Sequence, residues 1–542
     1  MVQDIRIAVI GMGPRGLGAI EALFATLTDG ISVTLDLFDP RPCPGAGPNF
    51  SPSQNSLNLL NLPLRAVDLP SPPRNFPSLA EWLGQDKKAM ETYPSRAQLG
   101  SYLTGRFANL VEAGQAGVTI SQHQLAADQL LRDAADGWWI RAAGARHGPY
   151  DEVLLAQGQP ATAPDQQLAK WHEHARCGVR DVVSVYPDHE LLDAASGWAG
   201  KVVAVRGMGL ATLDAIRLLT LGQGGKFRDG EYLPSGREPL RILPFSLNGL
   251  PPYPKPETLA IDARFAPSRE ETGSFCAALR RAIDLPGEGA IEALCEAIVP
   301  PVIRVLESQS VDLSEHEIRS WLACEQNAPG EQEVRGPVDV LRAGIAMAAG
   351  ETPPDIGYTI GQIWRKWQNE LREVYNPSAP RPGTISALIA FDEGLKRYSY
   401  GPPLSTMTEL LTLVEAGRVD LRAANDPDIL MTRDGWQLVE EDETARVVAI
   451  VDAVLPTPQL GQMTDPLIAA LRDSGDLTAI GPKLGVKLRP DGGVIGRAGP
   501  LPGLSLLGRL GLGSVIAVDS LHDCFGAAAD RWAAGVVSRA LR

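Results

Sequence analysis

The sequence contains few cysteines, and it has fewer basic than acidic residues. The six cysteines are scattered over 542 residues, and no two of them form a C-x-x-C pair. This spacing argues against a disulfide framework and against a dithiol redox centre. The formal net charge of -15 at pH 7 opposes binding to a phosphate backbone, so we expect no nucleic-acid partner.

Long apolar runs are also absent. No stretch of about 18 or more uncharged apolar residues occurs, and an apolar strand already begins at Ile5, which leaves no space for a signal peptide. We therefore expect a cytoplasmic protein that does not enter a membrane. His172 and His174 have no third ligand nearby, so a solvated helix surface is favoured and no metal is expected.

What the sequence does contain is a glycine turn that occurs twice, each time between an apolar strand and a helix. The first is IRIAVIGMGPRG at residues 5–16, and the second is VVAVRGMGLAT at residues 202–212. Such a turn lets the backbone approach a pyrophosphate, while the helix N-terminus offers unpaired N-H groups and a positive dipole. Two dinucleotide sites in one chain indicate transfer of electrons between cofactors.

The first turn has the full context of a dinucleotide-binding βαβ unit. The pattern predicts a strand over residues 5–10, a helix over 17–28 and a second strand over 32–38. An acidic residue at the end of the second strand would accept hydrogen bonds from ribose hydroxyls. Asp39 stands at that strand end and is favoured over Asp36, which lies nearer the usual spacing but inside the strand.

The second turn departs from the pattern at two positions. Thr212 replaces the third glycine, which requires looser packing between helix and strand. Arg206 precedes the turn, where it pairs with a phosphate or an acid, or only caps the strand end. A nicotinamide dinucleotide site at Gly207 and Gly209 is favoured over a purely structural turn.

The wider pattern predicts an α/β fold with two Rossmann-like dinucleotide-binding domains and an all-helical insertion. Helical periodicity dominates from about residue 251, a β/α pattern returns near residue 446, and a final helix is expected from about residue 514. The predicted division is the first part of one dinucleotide-binding domain at 1–165, a second dinucleotide-binding domain at 166–250, the helical insertion at 251–435, and a segment at 436–542 that returns to both domains and completes the first site. A family resemblance, carried by further motifs, implies that the first domain binds FAD and the second NAD(P).

Several further motifs carry a resemblance to a known family. They are PGAGPNF at 44–50, LNLLNL at 57–62, YPSR at 93–96 and YDEVLLAQG at 150–158. With the two glycine turns, they make the chain similar to the bacterial FAD/NAD(P)-binding family, which is related to flavin-dependent N-hydroxylating and other class B monooxygenases. The likeness covers most of the chain outside the helical insertion and implies the cofactors FAD and NAD(P)H.

The resemblance also implies which residues hold FAD. The implied positions are Gly11, Gly13, Pro14, Arg15 and Gly16 at the pyrophosphate, Asp39 at the ribose, Asn58 and Asn61 near the flavin, Gly158, and the late turn from Gly508 to Gly511. For each asparagine, a role in a turn is as good an interpretation as a flavin contact. Gln157 stands where related proteins have threonine, and the late turn lacks the usual aspartate.

Gly207, Gly209 and Thr212 would hold the nicotinamide dinucleotide. A 2'-phosphate needs a positive group near the ribose, and Arg237 is the candidate, which slightly favours NADPH over NADH. Arg237 could equally pair with Glu238 or Asp229.

The implied reaction is hydride transfer from the nicotinamide to FAD, followed by reaction of reduced flavin with molecular oxygen. A protected C4a-(hydro)peroxyflavin would make the protein a monooxygenase acting on a small amine, amino acid or sulfur compound. The alternatives are a flavin oxidase or dehydrogenase without oxygen insertion, and a non-catalytic flavin-bound sensor or interaction protein. No catalytic side chain is assigned, and the oligomeric state stays open.

Two groups in the helical part allow both a structural and a substrate-binding interpretation. Trp321, Trp364, Trp367 and Tyr375 lie at helical spacings, and a packed core is favoured over an aromatic substrate box. Arg365 and Arg372 either bind a substrate carboxylate or lie on solvated helix faces, and the solvated faces are favoured.

Overall fold

The strands and helices are taken from a computed structural model that describes residues 3–71, 76–85, 87–134, 137–176 and 181–541. The strands in these ranges are β1 (Gln3–Ile10), β2 (Ile31–Phe38), β3 (Val118–His123), β4 (Ala127–Arg132), β5 (Trp138–Ala142), β6 (Ala145–Tyr150), β7 (Glu152–Leu155), β8 (Asp181–Ser184), β9 (Val202–Arg206), β10 (Lys226–Arg228), β11 (Glu231–Leu233), β12 (Arg241–Phe245), β13 (Asp428–Thr432), β14 (Gly435–Glu440), β15 (Glu443–Val447), β16 (Ala449–Asp452), β17 (Gly493–Gly496) and β18 (Gly499–Leu506).

The helices in the same ranges are α1 (Pro14–Thr26), α2 (Leu79–Trp82), α3 (Arg96–Ala113), α4 (Gln166–Ala175), α5 (Asp188–Ala195), α6 (Leu210–Thr220), α7 (Leu259–Ala263), α8 (Arg269–Asp284), α9 (Gly287–Ser308), α10 (Glu315–Asn327), α11 (Pro337–Ala349), α12 (Ile356–Lys366), α13 (Gln368–Tyr375), α14 (Pro382–Gly394), α15 (Lys396–Ser399), α16 (Leu404–Glu415), α17 (Pro466–Ser474), α18 (Leu521–Cys524) and α19 (Ala527–Ala540). Single 3-10 turns lie at Leu64–Ala66, Lys87–Glu91, Leu221–Gln223, Leu460–Gln462 and Arg509–Gly511.

The first sheet has the strand order β17-β18-β7-β1-β2-β3, and β1 lies parallel to β2 and β7. Its central strands are apolar and buried on both faces, as a parallel sheet covered by helices requires. Ile10 is in register with both Phe38 and Leu155, so three strands end at one edge of the sheet. The predicted βαβ unit is confirmed, although its helix begins at Pro14 and ends at Thr26.

The second sheet is fully parallel, with the order β12-β9-β16-β8. Strand β16 reaches this sheet only after the helical part of the chain, so the sheet is completed by residues far apart in sequence. The predicted α/β class, with parallel sheets and substantial helical content, is confirmed. Smaller antiparallel sheets are formed by β4-β5-β6 and by β13-β14-β15, and β13 lies inside the segment expected to be all helical.

The helices from α7 to α16 surround a separate apolar core. Trp364 and Trp367 are each 1% exposed, and the Trp367 ring stacks on Phe275 with 4.3 Å between ring centroids. The predicted packed core is therefore confirmed for these two tryptophans. The solvated-face prediction is wrong for Arg372, which is buried and donates from Nε to the Ala517 carbonyl at 2.9 Å.

The final helix also differs from the prediction, since it begins at Ala527 rather than near residue 514. Several backbone groups at 513–517 are bonded to side chains of the helical region. Tyr375 Oη donates to the Gly513 carbonyl at 2.7 Å, and the Ile516 N-H donates to Asn376 Oδ1 at 2.9 Å. These tertiary partners replace the hydrogen bonds of a local helix. Among the described residues, no helix combines the length and apolarity needed to cross a membrane.

Candidate functional site

The first glycine turn closes against the end of strand β7. Gly11 has φ +99°, and a Cβ on it would lie 2.6 Å from the Ala156 carbonyl oxygen, so no other residue fits. A Cβ on Gly16 would lie 2.2 Å from the Gly11 oxygen. Helix α1 starts at Pro14, and its N-cap Gly13 provides no side-chain cap. The first N-H groups of α1 are therefore suited to bind phosphate.

Asp39 lies beside this turn at the end of β2. Its carboxylate accepts hydrogen bonds from the Met12 N-H at 2.8 Å and the Arg41 N-H at 2.9 Å. Asp36 instead bonds to His123 at 2.9 Å, inside the sheet. The structure thus places Asp39, rather than Asp36, at the mouth of the turn, where a ribose would lie.

The loop that follows β2 folds back onto the same turn. The Gly45 N-H donates to the Met12 carbonyl at 2.6 Å. Gly47 has φ +64°, and a Cβ on it would lie 3.1 Å from Gly13 Cα. The close approach to Gly13 explains the glycine at position 47, whereas Gly45 is required because its Cβ would lie 2.5 Å from the Leu103 carbonyl oxygen.

Asn58 is fully buried, and its amide orientation is fixed from one side. Nδ2 donates to Asp188 Oδ2 at 3.1 Å, while Oδ1 has no hydrogen-bond partner within the described residues. A buried acceptor of this kind is costly unless a ligand supplies the donor. Among the described residues, no hydrogen bond fixes the side chain of Asn61 in this way. Its main-chain oxygen accepts a hydrogen bond from Lys255 Nζ at 2.6 Å.

Two further segments meet at the first turn. Gly158 has φ +75° just after β7, and the neighbouring Gln157 Oε1 is buried without a hydrogen-bond partner in the described part of the chain. Gly508 has φ +108°, and a Cβ on it would lie 2.8 Å from Arg15 Nε. A Cβ on Gly511 would lie 2.7 Å from a Leu488 methyl carbon, so this glycine serves close packing.

Arg15 connects the first turn to the late segment. Its Nη2 lies 2.8 Å from Asp523 Oδ2, and its guanidinium also donates to the carbonyls of Val518 and Asp523 at 3.2 Å each. Burial opposes the positive charge, but Cys524 and Asp523 raise the pKa of Arg15 above its usual value. These contacts of the guanidinium hold the segment at 518–523 against α1.

The second turn repeats the first geometry. Gly207 has φ +119°, its N-H donates to the Phe245 carbonyl at 2.7 Å, and Gly209 caps α6 without a side-chain hydrogen bond. Thr212 is 1% exposed, and its Oγ1 has no hydrogen-bond partner among the residues described. Arg206 pairs with Asp165 at 2.5 Å and with Asp452 at 3.3 Å. These contacts favour the acid-pairing interpretation of Arg206.

Arg237 lies on an exposed loop of the second domain. Its Nε donates to the Gln223 carbonyl at 2.9 Å, and Glu238 instead accepts from Tyr232 Oη at 3.0 Å. Asp229 pairs with Arg228 at 3.4 Å. Of the ion pairs between described residues, none involves Arg237, so its charge remains available to an anion.

A buried network joins the two dinucleotide domains, and the sequence did not reveal it. Arg96 Nη2 lies 2.5 Å from Asp214 Oδ2, its Nη1 donates to Tyr186 Oη at 2.9 Å, and Tyr186 Oη donates to Asp214. Burial raises the pKa of Asp214 despite the attraction of Arg96, and burial with Asp214 raises the pKa of Tyr186. Asp214 could not be identified as the partner of Arg96 without the fold, because 118 residues separate the two in the sequence.

A cavity of about 800 Å³ lies between the loop at 55–62, the β10-β11 hairpin and α16. Its described lining includes Leu59, Tyr93, Phe227, Thr258 and Glu409, but no glycine of either turn. Backbone N-H groups and a glycine spacing that suit phosphates occur at the two turns instead. In the described ranges, no group of three or more His, Cys, Asp or Glu side chains is placed to hold a metal ion.

Residues 8–160 match the model of a family described as FAD-NAD(P)-binding. The match includes the first turn, the loop with Asn58 and Asn61, and Gly158. The predicted resemblance to an FAD/NAD(P)-binding family is confirmed over this segment. The buried acceptors at Asn58 and Gln157 and the closely packed glycines fit such a ligand.

Relatives extend the similarity over most of the chain. A nitrosuccinic acid synthase of Aspergillus oryzae is 28% identical over 86% of this chain and 81% of its own length. A nitrosuccinate-forming L-aspartate N-monooxygenase of Streptomyces davaonensis is 27% identical over 86% of this chain and 85% of its own. One from Streptomyces cremeus is 25% identical over 88% and 83%, respectively.

Solved structures of flavin monooxygenases also align with the whole chain. An ornithine N-hydroxylase of Kutzneria sp. 744 covers 99% of each chain at 11% identity and a TM-score of 0.49. A cyclohexanone monooxygenase of Rhodococcus sp. Phi1 bound to NADP+ covers 100% of this chain and 85% of its own, at 14% identity and a TM-score of 0.45. With TM-scores below 0.5, these likenesses carry no further argument.

Proposed function

We propose that this protein is an FAD-dependent, NAD(P)H-using monooxygenase that oxygenates the amino nitrogen of an amino acid, with L-aspartate as the first substrate to test. The observation that carries this proposal is the pair of glycine turns, each followed by a helix without a side-chain cap. The proposal takes its substrate from relatives whose similarity spans more than four-fifths of both chains. Bound FAD, once reduced by NAD(P)H, supplies the oxygen-activating chemistry.

The chain's own residues bind and orient the cofactors. Backbone N-H groups in the first turn of α1, from Arg15 onward, hold the FAD pyrophosphate, and Asp39 holds the ribose. Asn58 presents one fixed acceptor, because Asp188 holds the other end of its amide. No side chain has to act as a nucleophile.

The second turn holds the nicotinamide dinucleotide. Gly207, Gly209 and Thr212 form the phosphate-binding end of α6. The protein prefers NADPH over NADH, because Arg237 carries a positive charge with which no described carboxylate pairs. We also place the protein in the cytoplasm, where NADPH and free amino acids are available.

The test is a turnover assay with purified protein. The protein should be yellow with FAD, NADPH should bleach it without oxygen, and L-aspartate should accelerate NADPH consumption in air. Under 18O2, the product should carry the isotope on nitrogen. A product that has lost hydrogen without gaining oxygen would identify the oxidase or dehydrogenase alternative, and a protein that never consumes NADPH or NADH would support the sensor alternative.

A further inference from the structure

Four cationic side chains come together where the loop at 55–62 meets the helical region. We call this group the Lys255 cluster, and it consists of Lys255, Arg65, Arg365 and Lys366 together with the carboxylates Asp262 and Glu91. Lys366 lies 2.9 Å and Arg65 lies 3.9 Å from Asp262, which also bonds to Arg365. When all six groups are ionised, four cations face two carboxylates. This excess is notable in a chain of net charge -15.

Apart from Glu91, whose side chain is 40% exposed, the members of the cluster are largely shielded from water. The side chains of Arg65, Arg365 and Lys366 are 15%, 21% and 19% exposed, and that of Asp262 is 10% exposed. Water therefore screens the repulsion among the cations only weakly. An uncompensated positive charge in such a place is unfavourable unless an anion joins it.

Lys255 is the member with the weakest compensation. It is 5% exposed, and in the described structure its Nζ donates to two main-chain carbonyls, those of Asn61 at 2.6 Å and Gly401 at 2.9 Å. A lysine ammonium has three donors, so one N-H remains for a ligand. Burial and the neighbouring charge of Arg365 hold the pKa of Lys255 well below its usual value. A bound anion would relieve both effects.

The position of Lys255 connects the cluster to the cofactor site. It follows β12, whose last residue Phe245 accepts a hydrogen bond from Gly207 of the second turn. Its contact Asn61 lies in the same loop as Asn58. In open α/β sheets, ligands bind beyond the carboxyl ends of the strands, and Lys255 lies in the chain that leaves such an end.

We propose that the Lys255 cluster binds a carboxylate of the amino-acid substrate and that Lys255 is a specificity-determining residue for acidic amino acids. This inference rests on the proposed function. The carboxylate accepts the remaining N-H of Lys255, while the excess positive charge of the cluster stabilises it. The carboxylate-binding interpretation of Arg365 thus extends to a group of side chains. A neutral amide such as that of L-asparagine would leave the excess charge uncompensated.

The first experiment compares Lys255→Met with the wild type. A charge-assisted hydrogen bond of about 1.5–3 kcal/mol corresponds to a rise of roughly ten- to hundredfold in KM for L-aspartate. We expect kcat, FAD content and the rate of flavin reduction by NADPH to stay close to wild type, and the preference for L-aspartate over L-asparagine to fall. Lys255→Arg should restore part of that preference. Lys170→Met, at an exposed lysine on α4, is the control and should change nothing.

An effect on FAD content and kcat with unchanged substrate preference would overturn the proposal, because it would mean that Lys255 only ties Asn61 to Gly401. An unchanged KM would overturn it equally. If Lys255→Met does not fold, Lys366→Met takes its place, and an unchanged KM and preference in that variant count against the cluster.

A binding measurement separates this inference from the proposed function. Succinate has two carboxylates and no amine, so it should bind the wild-type FAD-loaded protein in calorimetry and bind Lys255→Met at least about tenfold more weakly. If succinate binds in this way but no amino acid is oxygenated, the proposed function fails and the anion site stands. If L-aspartate is oxygenated but neither succinate nor KM responds to Lys255, the anion site fails and the function stands.

Discussion

Replacing Arg96 by methionine should destabilise the junction between the two dinucleotide domains. Arg96 and Asp214 have side chains 17% and 9% exposed, and their closest N-O distance is 2.5 Å. Removal of the arginine leaves Asp214 buried, with Tyr186 as the one remaining hydrogen-bond donor to that oxygen among the described residues. Breaking a buried pair by deleting one partner costs about 3–5 kcal/mol of unfolding free energy. We therefore expect a loss of about that size.

The structure offers a matched control in Arg141, which pairs with Asp128 at 2.8 Å. The side chains of that pair are 49% and 39% exposed. Arg141→Met should cost less than about 1 kcal/mol, because water screens an exposed pair and the pair immobilises two long side chains.

Urea unfolding followed by tryptophan fluorescence measures the unfolding free energy of both variants. FAD retention after gel filtration measures the effect on the loop at 55–62, in which the Leu59 carbonyl accepts a hydrogen bond from Arg96 Nε at 3.3 Å. Adding Asp214→Asn to Arg96→Met removes the unpaired charge. The double variant should therefore lose less than the sum of the two single losses, with a coupling of about 1–3 kcal/mol. Equal losses in Arg96→Met and Arg141→Met, or strict additivity in the double variant, would refute the reasoning.

Three further outcomes follow from the geometry. Gly11→Ala should abolish FAD binding because its Cβ would overlap the Ala156 oxygen. Gly30→Ala is the control, at φ +93° with nothing within 4 Å of the added Cβ, and should retain FAD. Equal retention of FAD by the two variants would contradict the role of the first turn in FAD binding. Burial would raise the pKa of Asp519, but Lys396 and Arg509 hold it at about 2, so wild-type stability should fall as pH drops below about 4. Asp519→Asn should lack this pH-dependent stabilisation. The difference in unfolding free energy between wild type and variant, measured by urea unfolding, should therefore shrink by about 1 kcal/mol between pH 5 and pH 3. A constant difference would show that the pKa of Asp519 does not contribute to stability. Arg237→Gln should raise KM for NADPH about tenfold in steady-state assays and leave KM for NADH unchanged, and equal effects on both would remove Arg237 from the 2'-phosphate site.

The local part of the site could be predicted from the sequence because glycine geometry is written in short segments. The strand, turn and helix around Gly11 occupy adjacent residues, and their order alone limits the conformation and favours a dinucleotide. Together with the further motifs that carry the family resemblance, these segments made the fold class and the cofactor type predictable.

Contacts between distant segments could not be predicted. Asp188 and Asp214 read as ordinary helix residues, and nothing near them in sequence indicates that they bond to Asn58 and Arg96. The solvated-face prediction for Arg372 failed for the same reason, since its acceptor is a carbonyl 145 residues away. Helical periodicity records which side is apolar, but it does not record which buried cation will find a distant partner.

The order of the first sheet has a consequence for synthesis of the chain. Strand β18 pairs with β7, and α19 packs on the face of α1, although more than 340 residues separate β18 from β7 in the sequence. Until residues 499–540 have been added by the ribosome, β7 has an open edge and α1 an uncovered face. Gly508 and Asp523, which meet Arg15, have not yet emerged. Tight retention of FAD therefore has to await synthesis of the segment from β18 to α19, and a yellow protein reports that this segment has packed against β7 and α1.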